Sequence, residues 1–172
     1  MSATETKREK TDDEGYVGEH CPRMVLAERA PEVYRALVRL DAAARQGVEP
    51  AMRELVKVRV SQLNGCAFCV DMHSKDALAA GESVERLMQL TVWEESRHFY
   101  TERETAALEL AEAMTLLPSG PVSDEVYGRA AKLFGEEELA QLISVVTVIN
   151  AWNRIGVTTR MVAGHYQPGN AG

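Results

Sequence analysis

PAMRELVKVRVSQLNGCAFCVDMHSKDALAAG, residues 50–81, holds two helices and the turn between them. Pro50 suits a first helical turn, where its missing N–H costs nothing, and Asn64-Gly65 ends the run. Valines at 56, 58 and 60 favour extended chain locally. A span of this length between Pro and Gly nevertheless predicts a helix over 50–65. The next segment, 66–81, is alanine-rich and stops at Gly81, the pattern of a second helix.

The same punctuation continues on both sides. PEVYRALVRLDAAARQG, residues 31–47, starts on a proline, stops on Gly47 and spaces Val33, Leu37, Val38 and Leu40 as a helix does. Ser83 caps a short helix through Leu90. Residues 91–101 are irregular, and Thr101-Glu-Arg-Glu104 is a capping box for a helix over 102–117. Pro118, Gly120 and Pro121 mark a turn. Ser123-Asp124-Glu125 opens a helix that Gly135 closes. Residues 136–163 contain LISVVTVINAWNRIGV and predict a long helix, covered by its neighbours or by another subunit. Neither an internal repeat nor a sustained strand alternation is visible. The expected fold is all-α.

At 172 residues the chain suits one domain, placed at 21–172. Residues 1–20 carry three basic and six acidic side chains and little to bury, and are expected to form a mobile tail. A net charge of −7 makes nucleic acid and anionic membrane poor partners. No stretch reaches ~18 uncharged apolar residues, so no membrane span is expected. No apolar leader precedes Met24, which predicts a cytoplasmic protein. The three cysteines, Cys21, Cys66 and Cys69, do not read as an extracellular disulfide framework.

The chemistry concentrates on Glu54, Cys66, Cys69 and His73. A helix start offers unpaired N–H groups and the positive end of the dipole, both of which favour thiolate. At about 100° per residue, Cys66, Cys69, Val70, His73 and Ala77 share one side of their helix. Cys69 and His73 are i,i+4 neighbours, so the imidazole can take the thiol proton directly or through water. Glu54 shares a stripe with Val58, Ser61 and Gly65 on the preceding helix. Antiparallel packing of the two would let it face and orient His73. Against this stand a solvated Glu54 beside Lys57, two inert buried cysteines, and a zinc site completed by His73 and Cys21. Cys66, nearer the helix end, is expected to be the more exposed sulfur. His98 reads as a surface residue in a loop. Asn150, Asn153 and Arg154 read as a satisfied core or interface network, and Trp93 and Trp152 as core or interface rather than a ligand platform. No phosphate loop or nucleophile elbow occurs, and nothing points to flavin, haem or nucleotide, so no cofactor is expected.

The run from Glu54 to Ala77 closely resembles the core of the alkylhydroperoxidase D-like (AhpD-like) group of the carboxymuconolactone decarboxylase superfamily. The shared pattern is Glu, eleven residues, Cys-x-x-Cys, three residues, His. Similarity continues through Trp93-Glu-Glu-Ser, the helix from Thr101 and Ile149-Asn-Ala-Trp-Asn-Arg154, covering roughly residues 22–165. The resemblance implies an all-α fold that assembles as a dimer, trimer or hexamer. It implies a thiol peroxidase or disulfide reductase that uses Cys66 and Cys69, with Glu54 and His73 as proton relay. A peroxide substrate and a thiol reductant, a small dithiol or a thioredoxin- or lipoyl-type protein, follow from the same resemblance. Where the best-known peroxidase of the group has a histidine before its second cysteine, this chain has Phe68, one proton acceptor fewer. A redox sensor without turnover is the alternative function. Lactone decarboxylation is the weaker family reading, because the decarboxylases lack the cysteine pair.

Overall fold

The computed structural model describes residues 21–169, and the expected N-terminal tail lies outside that range. Among the described residues eight α-helices follow one another: α1 Leu26–Arg29, α2 Pro31–Ala44, α3 Pro50–Leu63, α4 Ala67–Ala79, α5 Val84–Gln89, α6 Glu102–Thr115, α7 Asp124–Leu133 and α8 Glu136–Thr159. No strand occurs among the described residues, so the all-α expectation holds. The irregular stretch at 91–101 contains 3-10 turns at Leu90–Val92 and Arg97–Phe99, the second of which carries His98. The short α1 has no counterpart in the sequence reading. α8 stops at Thr159, short of 163, because Arg160 turns left-handed at φ 55°.

Side-chain caps open α3, α5, α6 and α7. Glu49 accepts from the N–H groups of Ala51 (3.0 Å) and Met52 (2.9 Å) at the start of α3, two orphan donors that Pro50 cannot satisfy. Thr101 and Glu104 form the expected capping box of α6. Between α3 and α4 the chain reverses on Gly65, at φ 66°, a conformation that side chains with a Cβ resist.

α3 is the hub, packing against α4, α6 and α8. Val56 and Val60 join Ala107, Leu110 and Ala111 of α6 and Leu142, Val146 and Ile149 of α8 in the main core. Leu55 and Val58 face a second cluster with Leu90, Trp93 and Leu108. With two apolar faces already taken, α3 has no solvent side. Glu54, Lys57 and Ser61 are therefore buried along with Met52, Leu55, Val56, Val58 and Val60. A Glu54 solvated beside Lys57 is ruled out: the two are 6 % and 2 % exposed. The asparagines of α8 do form a satisfied network. Asn64 donates to Asn150 (3.0 Å) and Asn153 (2.9 Å), and Asn153 donates to Ser61 (3.0 Å), which fixes the α3–α4 turn on α8.

Candidate active site

Cys66 is the N-cap of α4, in extended conformation, and Cys69 sits one turn on. Their sulfurs stand 2.9 Å apart. Both residues are 2 % exposed, which corrects the expectation that Cys66 is the more open. The cause is α8, whose Gly156 passes over the pair. A Cβ on Gly156 would stand 2.7 Å from the Cys66 sulfur and 3.7 Å from that of Cys69. A helix-interior glycine costs ~1 kcal/mol against alanine, and the sulfurs supply the reason for one here. Gly156→Ala is expected to displace Cys66 and slow disulfide formation by roughly tenfold or more, since misplacing reacting atoms by about 1 Å can cost 10²-fold. Diamide oxidation followed by thiol counting checks this, and an unchanged rate would refute the packing argument.

The two thiols ionise very differently. The hydrogen bond from Cys69 favours the Cys66 thiolate, and this outweighs the burial that opposes it. The N–H of Cys69, the side chain of Asn153 and the N–H of Phe68 add to the effect, and the Cys66 pKa falls to about 7. Cys69 is pushed up by its bond to Cys66, by burial and by the Cys66 charge. Two sulfurs in contact share the first proton loss as a pair, and the helix start draws the charge towards Cys66. The sequence reading gives the helix-start effect to both thiols and a proton acceptor, His73, to Cys69, and leaves the roles of the two cysteines open.

His73 Nδ1 lies 2.8 Å from Glu54 Oε2, which shows that α3 and α4 pack as that reading required. Arg53 Nε donates to the other Glu54 oxygen at 3.0 Å. Burial pushes the Glu54 carboxyl up. The hydrogen bond and charge of His73, then the Lys57 ammonium and the Arg53 bond, more than reverse this and hold it at about 2. The ionised carboxylate selects the tautomer with its proton on Nδ1, which leaves Nε2 as the acceptor. Among the described residues no hydrogen bond joins the His73 ring to either sulfur.

Cys69, Glu54, His73 and Lys57 line a cavity of about 270 Å³. Its apolar wall includes Val38, Phe68, Met72, Trp152 and Met161, and Tyr34 packs edge-on to Trp152 at 5.4 Å. Cys66 is not part of the lining. The segment after α8 closes one side: Tyr166 Oη donates to Asp76 at 2.7 Å, and the Gly164 N–H donates to Asp71 at 3.0 Å. Glu54, His73 and Asp76 bring ligand-type atoms within 4.8 Å of one another, the group with metal-like spacing among the described residues. Each already has a protein partner, Glu54 and His73 in each other and Asp76 in Tyr166. Cys21, invoked as a zinc ligand, is exposed and outside this group.

Residues 31–113 match the model of the carboxymuconolactone decarboxylase family. YdfG of Bacillus subtilis (strain 168), itself uncharacterised, is 43% identical over 136 residues, 78% of this chain and 92% of that one. The chain belongs to the carboxymuconolactone decarboxylase family. Its fold is shared with ATU0492 from Agrobacterium tumefaciens, a protein of unknown function: TM-score 0.81 at 33% identity, covering 85% of this chain and all of that one. An alkyl hydroperoxide reductase AhpD from Rhodopseudomonas palustris (strain BisB18) is 46% identical over 48 residues. That stretch is 28% of this chain and 26% of the reductase. This member of the family is AhpD-like.

The family motif did not reveal the rest of the cavity. Lys57 was visible only as a neighbour of Glu54; the apolar residues on both of its flanks were the signal that α3 has no wet face. Asp41, Trp152 and Tyr166 come from separate elements, and nothing in the motif announces them. His98 is exposed and apart from the site, as expected, and His165 is exposed too. No helix among the described residues is long and apolar enough to cross a membrane.

Proposed function

We propose that the chain is a thiol peroxidase that reduces hydroperoxides with its cysteine pair and is itself reduced by a small dithiol or a dithiol protein. The observation that carries this is the pair of sulfurs 2.9 Å apart, with Cys69 on a cavity that also holds the Glu54–His73 couple. A substrate entering that cavity meets Cys69 first, so Cys69 is the attacking sulfur. Removing one proton from the pair leaves a single charge shared by two sulfurs, and the reactive form carries it on Cys69. His73 Nε2, oriented by Glu54, takes the proton through one water. Attack on the hydroxyl oxygen forms an S–O bond and breaks the O–O bond, giving a Cys69 sulfenic acid and an alcohol. Cys66 then displaces the hydroxyl, forming the disulfide and water. Its lowered pKa suits this second role, because the thiolate is the species that attacks.

The AhpD similarity supports the same chemistry. Homo-oligomerisation belongs to the proposal too, and is supported by exposed apolar side chains such as Val33, Met88 and Val92. Steady-state consumption of tert-butyl hydroperoxide with dihydrolipoamide as reductant tests the function. Many turnovers per protomer are expected. A single oxidation without turnover would identify a redox sensor, and unreacted thiols would end both readings.

A further inference from the structure

Lys57 has no place in the mechanism above, yet it is 2 % exposed and lines the same cavity as Cys69. An ammonium has three donors. Among the described residues, this one donates only to Asp41 Oδ1, at the long distance of 3.5 Å. Asp41 has a nearer partner in Arg45, whose Nε donates at 2.7 Å. The other carboxylates of the cavity are also engaged: Glu54 with His73 and Arg53, Asp76 with Tyr166. Lys57 is thus the under-partnered cation of the site. A buried charge left short of partners is costly. The cavity as a whole is not electropositive, since Asp41, Glu54 and Asp76 offset Lys57 and Arg45. A cation placed in this way does little to attract an anion from solution. It is suited to charge that appears inside the cavity during reaction.

We propose that Lys57 is the proton donor to the departing oxygen of the peroxide. This rests on the peroxidase reading. The Cys69 thiolate attacks the hydroxyl oxygen of ROOH; the S–O bond forms, the O–O bond breaks, sulfur is oxidised and the peroxide reduced. The electron pair of the broken bond stays on RO⁻, which takes a proton from the Lys57 ammonium and leaves as ROH. The proton that His73 took when the cysteine pair ionised then passes to the Lys57 amine, so both groups end as they began. Burial also lowers the Lys57 pKa, partly opposed by Glu54 and Asp41, which makes the ammonium a readier acid.

The test varies the basicity of the departing group. Pre-reduced protein is mixed with tert-butyl hydroperoxide, whose departing alkoxide needs a proton, or with peracetic acid, whose departing acetate does not. The first turnover is followed by thiol loss. Lys57→Met is expected to slow the alkyl hydroperoxide by about 10²-fold and peracetic acid far less. An equal loss with both acceptors would show a structural role and overturn the proposal while leaving the peroxidase reading intact. Lys57→Gln repeats the comparison if the Met variant does not fold. Should neither fold, the wild-type protein decides with a series of hydroperoxides of graded leaving-group acidity. A shallow dependence is expected, and a steep one would overturn the assignment. Wild-type protein inert to both acceptors would remove the peroxidase reading and this proposal with it.

Discussion

Cys69→Ser is expected to abolish peroxide-dependent thiol oxidation, and Cys66→Ser to permit one oxidation per protomer and no more. A serine hydroxyl in place of the Cys69 sulfur has neither the acidity nor the polarisability to attack an O–O bond. Without Cys66, the sulfenic acid on Cys69 has no thiol at 2.9 Å to condense with. Loss of turnover should be complete in both variants, and intact-mass measurement distinguishes them. Cys66→Ser should gain one oxygen after peroxide, whereas Cys69→Ser should stay unmodified. The opposite outcome, rapid oxidation of Cys66 in Cys69→Ser, would exchange the two roles. It would also mean that the lowered pKa of Cys66 outweighs the position of Cys69 on the cavity.

Removing the proton acceptor should come next in size. His73→Ala is expected to slow the first oxidation by about 10²–10⁴-fold, the range for a positioned general base. Glu54→Gln keeps the shape of the side chain and loses its charge, and should slow the reaction by roughly tenfold to a hundredfold through the orientation and tautomer of His73. Stopped-flow thiol loss at pH 7 measures both, and wild-type rates in both would end the relay.

Glu54 also makes a prediction about pH. Its pKa is lowered on folding, from 4.5 to about 2, so its ionised form favours the folded state. That contribution is fully present above about pH 4.5, shrinks as pH falls and is gone once the pH has passed below about 2. It is on the order of 3 kcal/mol by linkage. Urea unfolding of Glu54→Gln should lack this share of the acid sensitivity between those limits. An unchanged pH profile would show that the Glu54–His73 contact contributes nothing to stability.

Helix positions were legible because their signals are local. Pro50, Asn64-Gly65, Thr101 with Glu104, and Ser123 each act on backbone groups within a turn of themselves, and each marks a real boundary. α1 was not legible, since four residues carry no period. The end of α8 was missed because a non-glycine residue, Arg160, adopts the left-handed turn that the search for glycine expects elsewhere.

The four motif residues were legible from spacing, and Glu54 was placed opposite His73 on the assumption of antiparallel packing. The exposure and acidity of the two cysteines were not. Both depend on α8, which crosses the sulfurs at Gly156, some ninety positions away in sequence, and sends Asn153 to Cys66. Lys57 was misjudged for a similar reason. A lysine three residues from a glutamate looks like a surface pair until the neighbours of α3 are known.

By itself, then, the sequence determined every described α-helix but α1, their order and the spacing of the four motif side chains. These follow from capping, periodicity and spacing within short windows. Tertiary structure alone decided which sulfur faces the cavity, which is the more acidic, and that Lys57 is buried there with one distant partner, Asp41, among the described residues. Those properties are set by desolvation and by charged and polar groups brought together from α2, α3, α4 and α8, and no short window contains all the groups involved.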